Sequence, residues 1–375
     1  MRLADNGVGS GTPSMKLVAK IGTSSITDAR GAIDVAMVES LCAQVAQLRA
    51  NGHEVLVVTS GAVAGGVAAL GLTERPTDTA TLQALSAAGQ SRLMGHYNMA
   101  LDRHDLVGAQ VLLVPNDFID RAQYLHARQT MLRLLELGCV PIINENDAIA
   151  SDEIRFGDND RIAALVAHSV DADVLVLLTD TEGLFTADPT NNPAAALITH
   201  VAANDELMSV RAGSSTTAWG SGGMASKLTA ARIASWSGVR TVIARAARPN
   251  VLQDAAAGAV DVGTTFAAHD RRLTARKLWI AFAAQPTGSV TVDAGAATAL
   301  VTRGVSLLHA GVIEVRGDFT TADIVEVLDV AGDVIARGLA RVDARQAAAA
   351  AGKKSSELPD DVPTELVHRD DLIVY

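Results

Sequence analysis

The chain has 375 residues, of which 49% are hydrophobic and 19% charged, and its 31 basic and 42 acidic side chains give a formal net charge of −11. This composition is typical of a globular protein with two or three domains and excludes a wholly disordered chain. The acidic balance disfavours nucleic acid as a main partner, because polyanions bind basic surfaces.

Several classes of protein are disfavoured by what the sequence lacks. The two cysteines, Cys42 and Cys139, lie in apolar segments, and no Cys or His spacing predicts a structural zinc site. No apolar run reaches the roughly 18 residues of a membrane-spanning helix. The first residues lack the hydrophobic segment of a signal peptide. We therefore expect a cytoplasmic protein without a membrane partner, in which residues 1–14 form a disordered tail.

Strands and helices alternate along the first two thirds of the chain. The hydrophobic pattern predicts strands over residues 15–21, 54–59, 107–114, 139–143, 174–178 and 240–244, and helices over residues 35–50, 79–102, 121–136, 161–168 and 224–237. A strand, a helix and a second strand in succession form a parallel βαβ unit. We therefore expect an α/β domain over residues 15–270, with an open, mainly parallel central sheet between layers of helices.

The pattern changes after a basic segment at residues 271–277. Beyond a linker that we place at residues 271–284, short strands separated by Gly-rich turns are predicted over residues 289–293, 311–316, 323–329 and 333–337. This spacing predicts a small β-barrel or sandwich domain within residues 285–375.

Residues 144–160 form the densest polar cluster of the chain, with six carboxylates and three asparagines directly after the strand at residues 139–143. Carboxylates this close raise one another's pKa unless cations or hydrogen-bond donors compensate. An isolated acidic run is usually a solvated loop. Here, however, a helix begins near Asn159 and brings free backbone N–H groups. The combination favours a site for a small zwitterion that carries an ammonium group and carboxylates.

The order of side chains within this cluster gives a second expectation. Asn144 and Asn146 alternate with Glu145 and Asp147 just beyond the predicted strand. Because side chains alternate with a period of two along extended backbone, we expect the two asparagines on one side and the two acids on the other.

Two lysines lie close to glycines at the ends of predicted strands or helices. Lys20 lies two residues before Gly22 at the carboxyl end of the first strand, where open α/β sheets bind anions. Lys227 ends the run Gly222-Gly-Met-Ala-Ser-Lys at the start of a helix, a combination that can cradle a phosphate, although the spacing of a P-loop is absent. A surface lysine and a plain Gly/Ser loop are the alternatives. Two cations around a transferring phosphoryl group predict a kinase.

Seven segments resemble the motifs of the amino acid kinase family: residues 18–23, 58–62, 141–148, 157–160, 178–180, 183–189 and 222–227. The sequences INENDA and GDND within them resemble the members that phosphorylate the side-chain carboxylate of L-glutamate. The C-terminal strands resemble the PUA domain, which accompanies many of those members. The resemblance thus implies the amino acid kinase fold and the first step of proline synthesis.

The resemblance implies roles for individual residues. Catalytic roles are implied for Lys20, Lys227 and Asp160, with Asp160 orienting the two lysines. Binding of L-glutamate is implied for Ser60, Gly61, Asn144, Asp147 and Asn159. Binding of the nucleotide is implied for Lys20, Thr179, Asp180, Ser221, Gly222, Gly223, Met224, Ala225, Ser226 and Lys227.

Ligands and partners follow from the same resemblance. ATP is the expected phosphoryl donor, with Mg²⁺ held mainly by its phosphates rather than by a protein metal site. Proline is the expected feedback inhibitor. A homo-oligomer, either a tetramer or a dimer, and glutamyl phosphate reductase as a partner are also implied.

Two alternatives remain open from the sequence. The first is a related kinase that acts on acetylglutamate, aspartate, carbamate or UMP; Asp147 as a ligand for a free amine and the PUA-like domain argue against it. The second is an RNA-binding protein that uses the C-terminal domain. Residues 285–363 carry seven basic and eleven acidic side chains, which suits contacts with a phosphate backbone poorly.

Overall fold

The computed structural model describes residues 14–28, 31–118, 120–149, 159–189, 191–208, 223–270, 272–278, 280–281 and 286–375. The predicted N-terminal tail up to residue 13, the acidic residues 150–158, and Ser221 and Gly222 of the Gly-rich segment lie outside the described residues. Within the described ranges, no helix combines the length and apolar character needed to cross a membrane.

The N-terminal domain alternates strands and helices. Its elements are β1 (Lys16–Ile21), α1 (Thr23–Ile26), α2 (Val35–Ala50), β2 (Glu54–Thr59), α3 (Ala62–Ala69), α4 (Thr79–Asp102), β3 (Gly108–Leu113), α5 (Arg121–Glu136), β4 (Val140–Glu145), α6 (Asn159–Ser169), β5 (Val174–Thr179), β6 (His200–Val201), α7 (Gly223–Trp236), β7 (Arg240–Arg245), α8 (Val251–Ala257), β8 (Thr264–Phe266) and α9 (Ala275–Leu278). Asp side chains cap several helices: Asp34 accepts from the Met37 N–H at the start of α2, and Asp78 accepts from the Thr81 N–H at the start of α4.

Eight strands form one sheet in the order β3-β4-β2-β1-β5-β7-β8-β6. All neighbouring pairs are parallel except β7 with β8, which is antiparallel. The prediction of an open, mainly parallel sheet is therefore confirmed. Because β4, β2, β1 and β5 are parallel neighbours, their carboxyl ends lie along one edge of the sheet.

Helices cover both faces of the sheet, as predicted. Along β1, Leu17, Ala19 and Ile21 belong to an apolar cluster shared with α2, α4 and α8, whereas Val18 belongs to the cluster shared with α5, α6 and α7. All four side chains are at most 1% exposed. A strand buried on both faces reads as a continuous apolar run, which is why the pattern identified it.

The C-terminal domain is rich in strands. Its elements are β9 (Gly288–Val292), α10 (Ala294–Arg303), β10 (Leu307–Leu308), β11 (Val312–Gly317), β12 (Ile324–Leu328), β13 (Val334–Leu339), α11 (Ala344–Ala350), β14 (Glu365–Val367) and β15 (Leu372–Val374). Five strands pair in the order β11-β9-β12-β13-β15, and β10 pairs with β14. The prediction of strands here is confirmed. The expectation that helices give way to strands missed α10, whose N-cap Asp293 accepts a hydrogen bond from the Ala296 N–H.

The residues between the two domains pack on both of them. Leu278 at the end of α9 is buried in the core of the N-terminal domain. Two residues further on, Ile280 is buried against Ile324 and Ile373 of the C-terminal sheet. The guanidinium of Arg276 lies 2.5 Å from the Asp371 carboxylate. This segment therefore contacts the cores it joins.

Helices α3 and α4 touch backbone to backbone. A Cβ added at Gly89 of α4 would lie 1.9 Å from the Ala62 carbonyl oxygen, and one at Gly66 of α3 would lie 2.0 Å from the Leu85 carbonyl oxygen. Glycine at position 66 therefore permits close packing of the two helices.

Replacing Gly89 by alanine is therefore expected to destabilise the domain by about 1–3 kcal/mol or more, since the methyl group forces α3 and α4 apart. Gly95 of the same helix is the matched control, because a Cβ there meets nothing within 4 Å. Its replacement by alanine should stabilise α4 by about 0.5–1 kcal/mol. Urea unfolding of both variants measures the difference. Equal stability of the two would contradict the close helix contact.

Candidate active site

The candidate site lies where the parallel strands end. Lys20 is near the carboxyl end of β1, Ser60 directly follows β2, Asn144 is near the end of β4, and Thr179 ends β5. In the register of the sheet, Lys20 pairs with Val58 of β2 on one side and with Leu177 of β5 on the other. Ligands of open α/β sheets bind at this kind of edge.

Asp160 joins the two predicted cationic residues. Its carboxylate makes a salt bridge through Oδ1 with the Lys20 ammonium, and its Oδ2 lies 3.4 Å from Lys227 Nζ. Oδ2 also accepts a hydrogen bond of 2.6 Å from the Ser226 hydroxyl. Asp160 lies in the first turn of α6 and Lys227 in the second turn of α7, so two helices meet over the end of β1. The structure thus brings together residues that are 140 and 67 positions from Asp160 along the sequence.

The charges of this cluster compensate one another. Asp160 and Lys20 are 3% and 4% exposed, and Lys227 is 8% exposed. Burial alone raises the pKa of the Asp160 carboxyl, but the charges of Lys20 and Lys227 and the hydrogen bonds of Lys20 and Ser226 outweigh it and hold this pKa below its usual value. Asp160 is therefore ionised at neutral pH, and the cluster has one more cation than anion.

Each lysine ammonium lies over a glycine. A Cβ at Gly22 would lie 3.4 Å from Lys20 Nζ, and one at Gly223 would lie 3.6 Å from Lys227 Nζ. The Gly223 carbonyl also accepts a hydrogen bond from Lys227 Nζ at 3.2 Å. Because both residues are glycines, no side chain separates their backbone from the ammonium groups.

A polar pocket adjoins this cluster. Its lining includes five of the predicted substrate-binding residues: Ser60, Gly61, Asn144, Asp147 and Asn159. Asn159 and Asp160 are consecutive, so the pocket and the lysine pair share the first turn of α6. The structure thus brings the predicted substrate residues together beside the predicted catalytic ones.

Hydrogen bonds order the polar side chains of the pocket. Asn159 Nδ2 donates to Ser60 Oγ at 3.0 Å and to Asn144 Oδ1 at 3.1 Å. The Glu145 N–H donates to Asn144 Oδ1 at 2.9 Å and to Asn159 Oδ1 at 3.2 Å. Because Ser60 Oγ accepts from Asn159, its own hydroxyl hydrogen remains available for a ligand.

The expected alternation of residues 144–147 is wrong. The strand continues to Glu145 rather than ending at residue 143, and the chain turns at Asp147. As a result, the pocket is lined by Asn144 and Asp147, three residues apart, and Asn146 is not part of the lining. The period of two applies only to extended backbone, and the turn breaks it.

Asp147 has its own environment. Its Oδ2 accepts a hydrogen bond of 3.1 Å from the Ser86 hydroxyl of α4. Burial raises the pKa of the Asp147 carboxyl, and the Ser86 hydrogen bond and the charge of Arg75 only partly offset this effect. A partly desolvated carboxylate of this kind gains from the arrival of a cationic ligand group.

Replacing Asp147 by asparagine tests this environment. The folded pKa of Asp147 is raised, so the ionised carboxylate lowers the stability of the folded protein. This loss of stability begins as pH rises through the unfolded pKa, near 3.8, and is complete above the folded pKa. The variant should therefore melt at a higher temperature than the parent at pH 7. The predicted role of Asp147 in glutamate binding adds a second expectation, namely roughly 10- to 100-fold weaker binding of glutamate, since a charge-assisted hydrogen bond is lost. Calorimetric melting and glutamate titration measure both effects, with the exposed Asp102→Asn as control. A lower melting temperature would contradict the account.

The remaining predicted nucleotide residues lie at the same edge of the sheet. Thr179 is buried and donates from Oγ1 to Oδ1 of the exposed Asp180 at 3.1 Å. Gly223, Met224, Ala225 and Ser226 form the first turn of α7. Ser221 and Gly222 lie outside the described residues. The nucleotide-binding role of this set stays a prediction.

No sequence motif points to Arg75, although this residue lines the pocket with Asp147. It lies in the connection between α3 and α4, which has no motif of its own. Ser86 and Gln90 were also missed as neighbours of the site. One signal was present: both are polar residues four apart on the otherwise apolar stripe of α4 that contains Leu82, Leu85 and Leu93.

The described residues contain no group of three or more His, Cys, Asp or Glu side chains that could hold a metal ion. Both oxygens of Asp160 face lysine ammonium groups. The cluster is therefore suited to an anion, such as a phosphate group, rather than to a cation.

A buried lysine pair at a sheet edge, beside a pocket lined by the Asp147 carboxylate, fits a phosphotransferase. The family described as "Amino acid kinase family" matches residues 15–245, and the PUA domain matches residues 288–361. The chain belongs to the amino acid kinase family.

Relatives over nearly the full length narrow this assignment. A glutamate 5-kinase of Thermobifida fusca (strain YX) is 46% identical over 365 residues, which cover 96% of this chain and 93% of that protein. A glutamate 5-kinase of Bifidobacterium animalis subsp. lactis (strain AD011) is 45% identical, with 96% and 95% covered, and one of Salinispora arenicola (strain CNS-205) is 44% identical, with 97% and 98% covered. Within the family, the chain groups with the glutamate 5-kinases.

Proposed function

We propose that this chain transfers the γ-phosphoryl group of ATP to the side-chain carboxylate of L-glutamate, giving L-glutamyl 5-phosphate. One observation carries the proposal: Asp160 holds the ammonium groups of Lys20 and Lys227 together, next to a pocket that contains the carboxylate of Asp147. The full-length similarity to glutamate 5-kinases supports the choice of substrate.

The pocket supplies a partner for each charged group of glutamate. Asp147 accepts hydrogen bonds from the substrate ammonium. The Ser60 hydroxyl and the backbone around Gly61 donate to a carboxylate, and Asn159, held by Asn144, fixes the direction of the Ser60 hydroxyl. Arg75 adds a cation at the pocket wall for the second carboxylate. Acetylglutamate has no free amine, so it would offer no ammonium group to Oδ1 of the buried Asp147 carboxylate.

Transfer requires charge neutralisation and alignment rather than a general base. The side-chain carboxylate of glutamate, with a pKa of about 4.3, is already ionised at neutral pH and can attack without losing a proton. Lys20 and Lys227 balance the charge of the transferring phosphoryl group, and Asp160 keeps their ammonium groups at a fixed separation. Amides near Gly22 and Gly61 donate to its oxygens.

The nucleotide occupies the same edge of the sheet in this proposal. Thr179, Asp180 and residues 221–227 surround it, and Lys20 contacts its phosphates. Mg²⁺ would be held mainly by the ATP phosphates and would screen their charge there.

A panel of acceptors tests the proposal. ADP release should depend on glutamate and should be far slower with aspartate, N-acetylglutamate, carbamate or UMP as acceptor. Equal or faster release with one of these would replace the proposed substrate with that acceptor.

Regulation and pathway complete the proposal. The product would enter proline synthesis, and proline would inhibit the enzyme, since it carries an amino group and an α-carboxylate that Asp147 and the Ser60 region can bind. Under this hypothesis, rising glutamate concentrations relieve the inhibition competitively. Inhibition that glutamate does not relieve would place the proline site elsewhere.

A further inference from the structure

Helix α4 approaches the pocket from behind with two polar side chains one turn apart. Ser86 and Gln90 are 3% and 8% exposed, and neither belongs to the pocket lining. Both nevertheless hydrogen-bond to side chains that do line it, namely Asp147 and Asn144. Polar groups buried at this depth are costly unless their partners are fixed, so such pairs restrict the positions of the residues they bind.

Ser86 acts on the carboxylate. Its hydroxyl donates to Asp147 Oδ2 at 3.1 Å, which leaves Oδ1 for the ligand. Among the described residues, the charged side chain that acts on Asp147 is that of Arg75, which lies in the connection between α3 and α4. The Ser86 bond favours the ionised carboxylate over the neutral acid, and only the ionised form attracts an ammonium group.

Gln90 acts on the amides. Its Oε1 accepts from Asn144 Nδ2 at 2.8 Å, which turns Asn144 Oδ1 toward Asn159 Nδ2. Asn159 Nδ2 in turn donates to Ser60 Oγ. Were Asn144 reversed, two NH₂ groups would face each other, and Asn159 would have to present its oxygen to Ser60. The Ser60 hydroxyl would then donate to Asn159 instead of to a ligand.

Contact between the helices fixes the position of α4. Gly89 lies between Ser86 and Gln90 and is pressed against the backbone of α3, which directly follows Ser60 and Gly61. The side of α4 that carries both polar groups is thus held at a set distance from the residues that bind the ligand.

We infer that Ser86 and Gln90 are positioning residues for glutamate. Ser86 orients the Asp147 carboxylate toward the ammonium group. Gln90 fixes the direction of the hydrogen bonds that link Asn144, Asn159 and Ser60, so that the Ser60 hydroxyl donates to a carboxylate. This inference rests on the proposed function. It requires that both residues change the affinity for glutamate and leave the nucleotide site unaffected.

The experiment compares Ser86→Ala and Gln90→Met with controls in the full chain. Ser91→Ala removes an exposed hydroxyl from the same helix, and Gln110→Met removes only the outer partner of Gln90, at 3.3 Å from its Nε2. The KM for glutamate should rise about tenfold in each test variant, as expected for the loss of a buried hydrogen bond, and less than twofold in each control. The KM for ATP and kcat should change less than threefold.

A pH profile separates positioning from a general loss of structure. The Ser86 hydrogen bond lowers the pKa of Asp147, so the pKa should rise in Ser86→Ala. The acid limb of kcat/KM for glutamate should therefore move to higher pH in this variant. The profile of Gln90→Met should keep the acid limb of the parent. Should Gln90→Met not fold, Ser86→Ala decides alone, since it removes a single oxygen.

The outcomes distinguish this inference from the proposed function. If the parent shows no glutamate-dependent activity, the proposed function fails. If the parent is active and both test variants match their controls in KM and in pH profile, the positioning inference fails while the proposed function stands. Equal increases in the KM for ATP and for glutamate would likewise overturn it, since they would indicate a distortion of the whole site.

Discussion

Replacing Lys227 by alanine is expected to lower kcat by about 10²- to 10³-fold, the effect of removing one group that stabilises charge in a transition state. Lys227 Nζ lies 3.4 Å from Asp160 Oδ2 near the start of α7, and Lys227 is not among the residues that line the pocket. Glutamate binding should therefore persist. Steady-state kinetics, together with calorimetric titration of glutamate, separates the two effects.

The matched control for this variant is Lys353→Ala. Lys353 is exposed in the C-terminal domain, and its loss should leave kcat and both KM values unchanged. Turnover by Lys227→Ala within a few-fold of the parent would contradict the assignment of Lys227. A parallel loss of glutamate affinity would instead place Lys227 in the substrate pocket.

Replacing Asp160 by asparagine is expected to remove activity and to destabilise the fold together. The substitution leaves two ammonium groups, on side chains 5% and 10% exposed, without their shared counter-charge. Removing one partner of a buried ion pair costs about 3–5 kcal/mol. No such double effect is expected from Lys227→Ala, which leaves the pair of Asp160 with Lys20 intact. Unfolding in urea and initial rates measure the two losses.

The pH dependence of stability gives an independent check on Asp160. Its folded pKa lies below the usual 3.8, so the stability it provides is present above the unfolded pKa and is lost as pH falls through the folded pKa. The parent should therefore lose stability on acidification below about pH 4 more steeply than Asp160→Asn. The exposed Asp171, 2.9 Å from Arg128, is the control, since Asp171→Asn should cost at most about 1 kcal/mol. Equal stability of Asp160→Asn and the parent at pH 7 would contradict the proposed charge balance.

Local signals were sufficient for much of the fold. Helix α4 was predicted with its observed bounds, because Asp78 caps it and its apolar stripe is regular over Thr79–Asp102. Helix α3 was missed, since Gly65 and Gly66 disfavour a helix in isolation. Contact with α4 across Gly89 overrides that preference, and such a contact lies outside any local pattern.

Prediction of the site depended on charge. The acidic cluster requires nearby cations, and this requirement pointed to Lys20 and Lys227. In the structure, both lysines pair with Asp160. The pocket wall was harder to predict, because Arg75 lies in a connection without periodicity and reaches the site only through the tertiary fold. The alternation proposed for residues 144–147 failed for a related reason: the point at which β4 ends depends on its pairing with β3, which continues to Glu145.

The chemical identity of the product tests the central claim most directly. Purified protein is incubated with ATP, Mg²⁺, L-glutamate and hydroxylamine, which captures an acyl phosphate as a stable hydroxamate. We expect glutamyl hydroxamate to form in step with ADP, and to fall to background when Lys20 or Lys227 is replaced by alanine. Release of ADP without any hydroxamate would contradict phosphoryl transfer to the glutamate carboxylate, and unchanged hydroxamate formation by the two lysine variants would contradict the role of the Asp160 cluster.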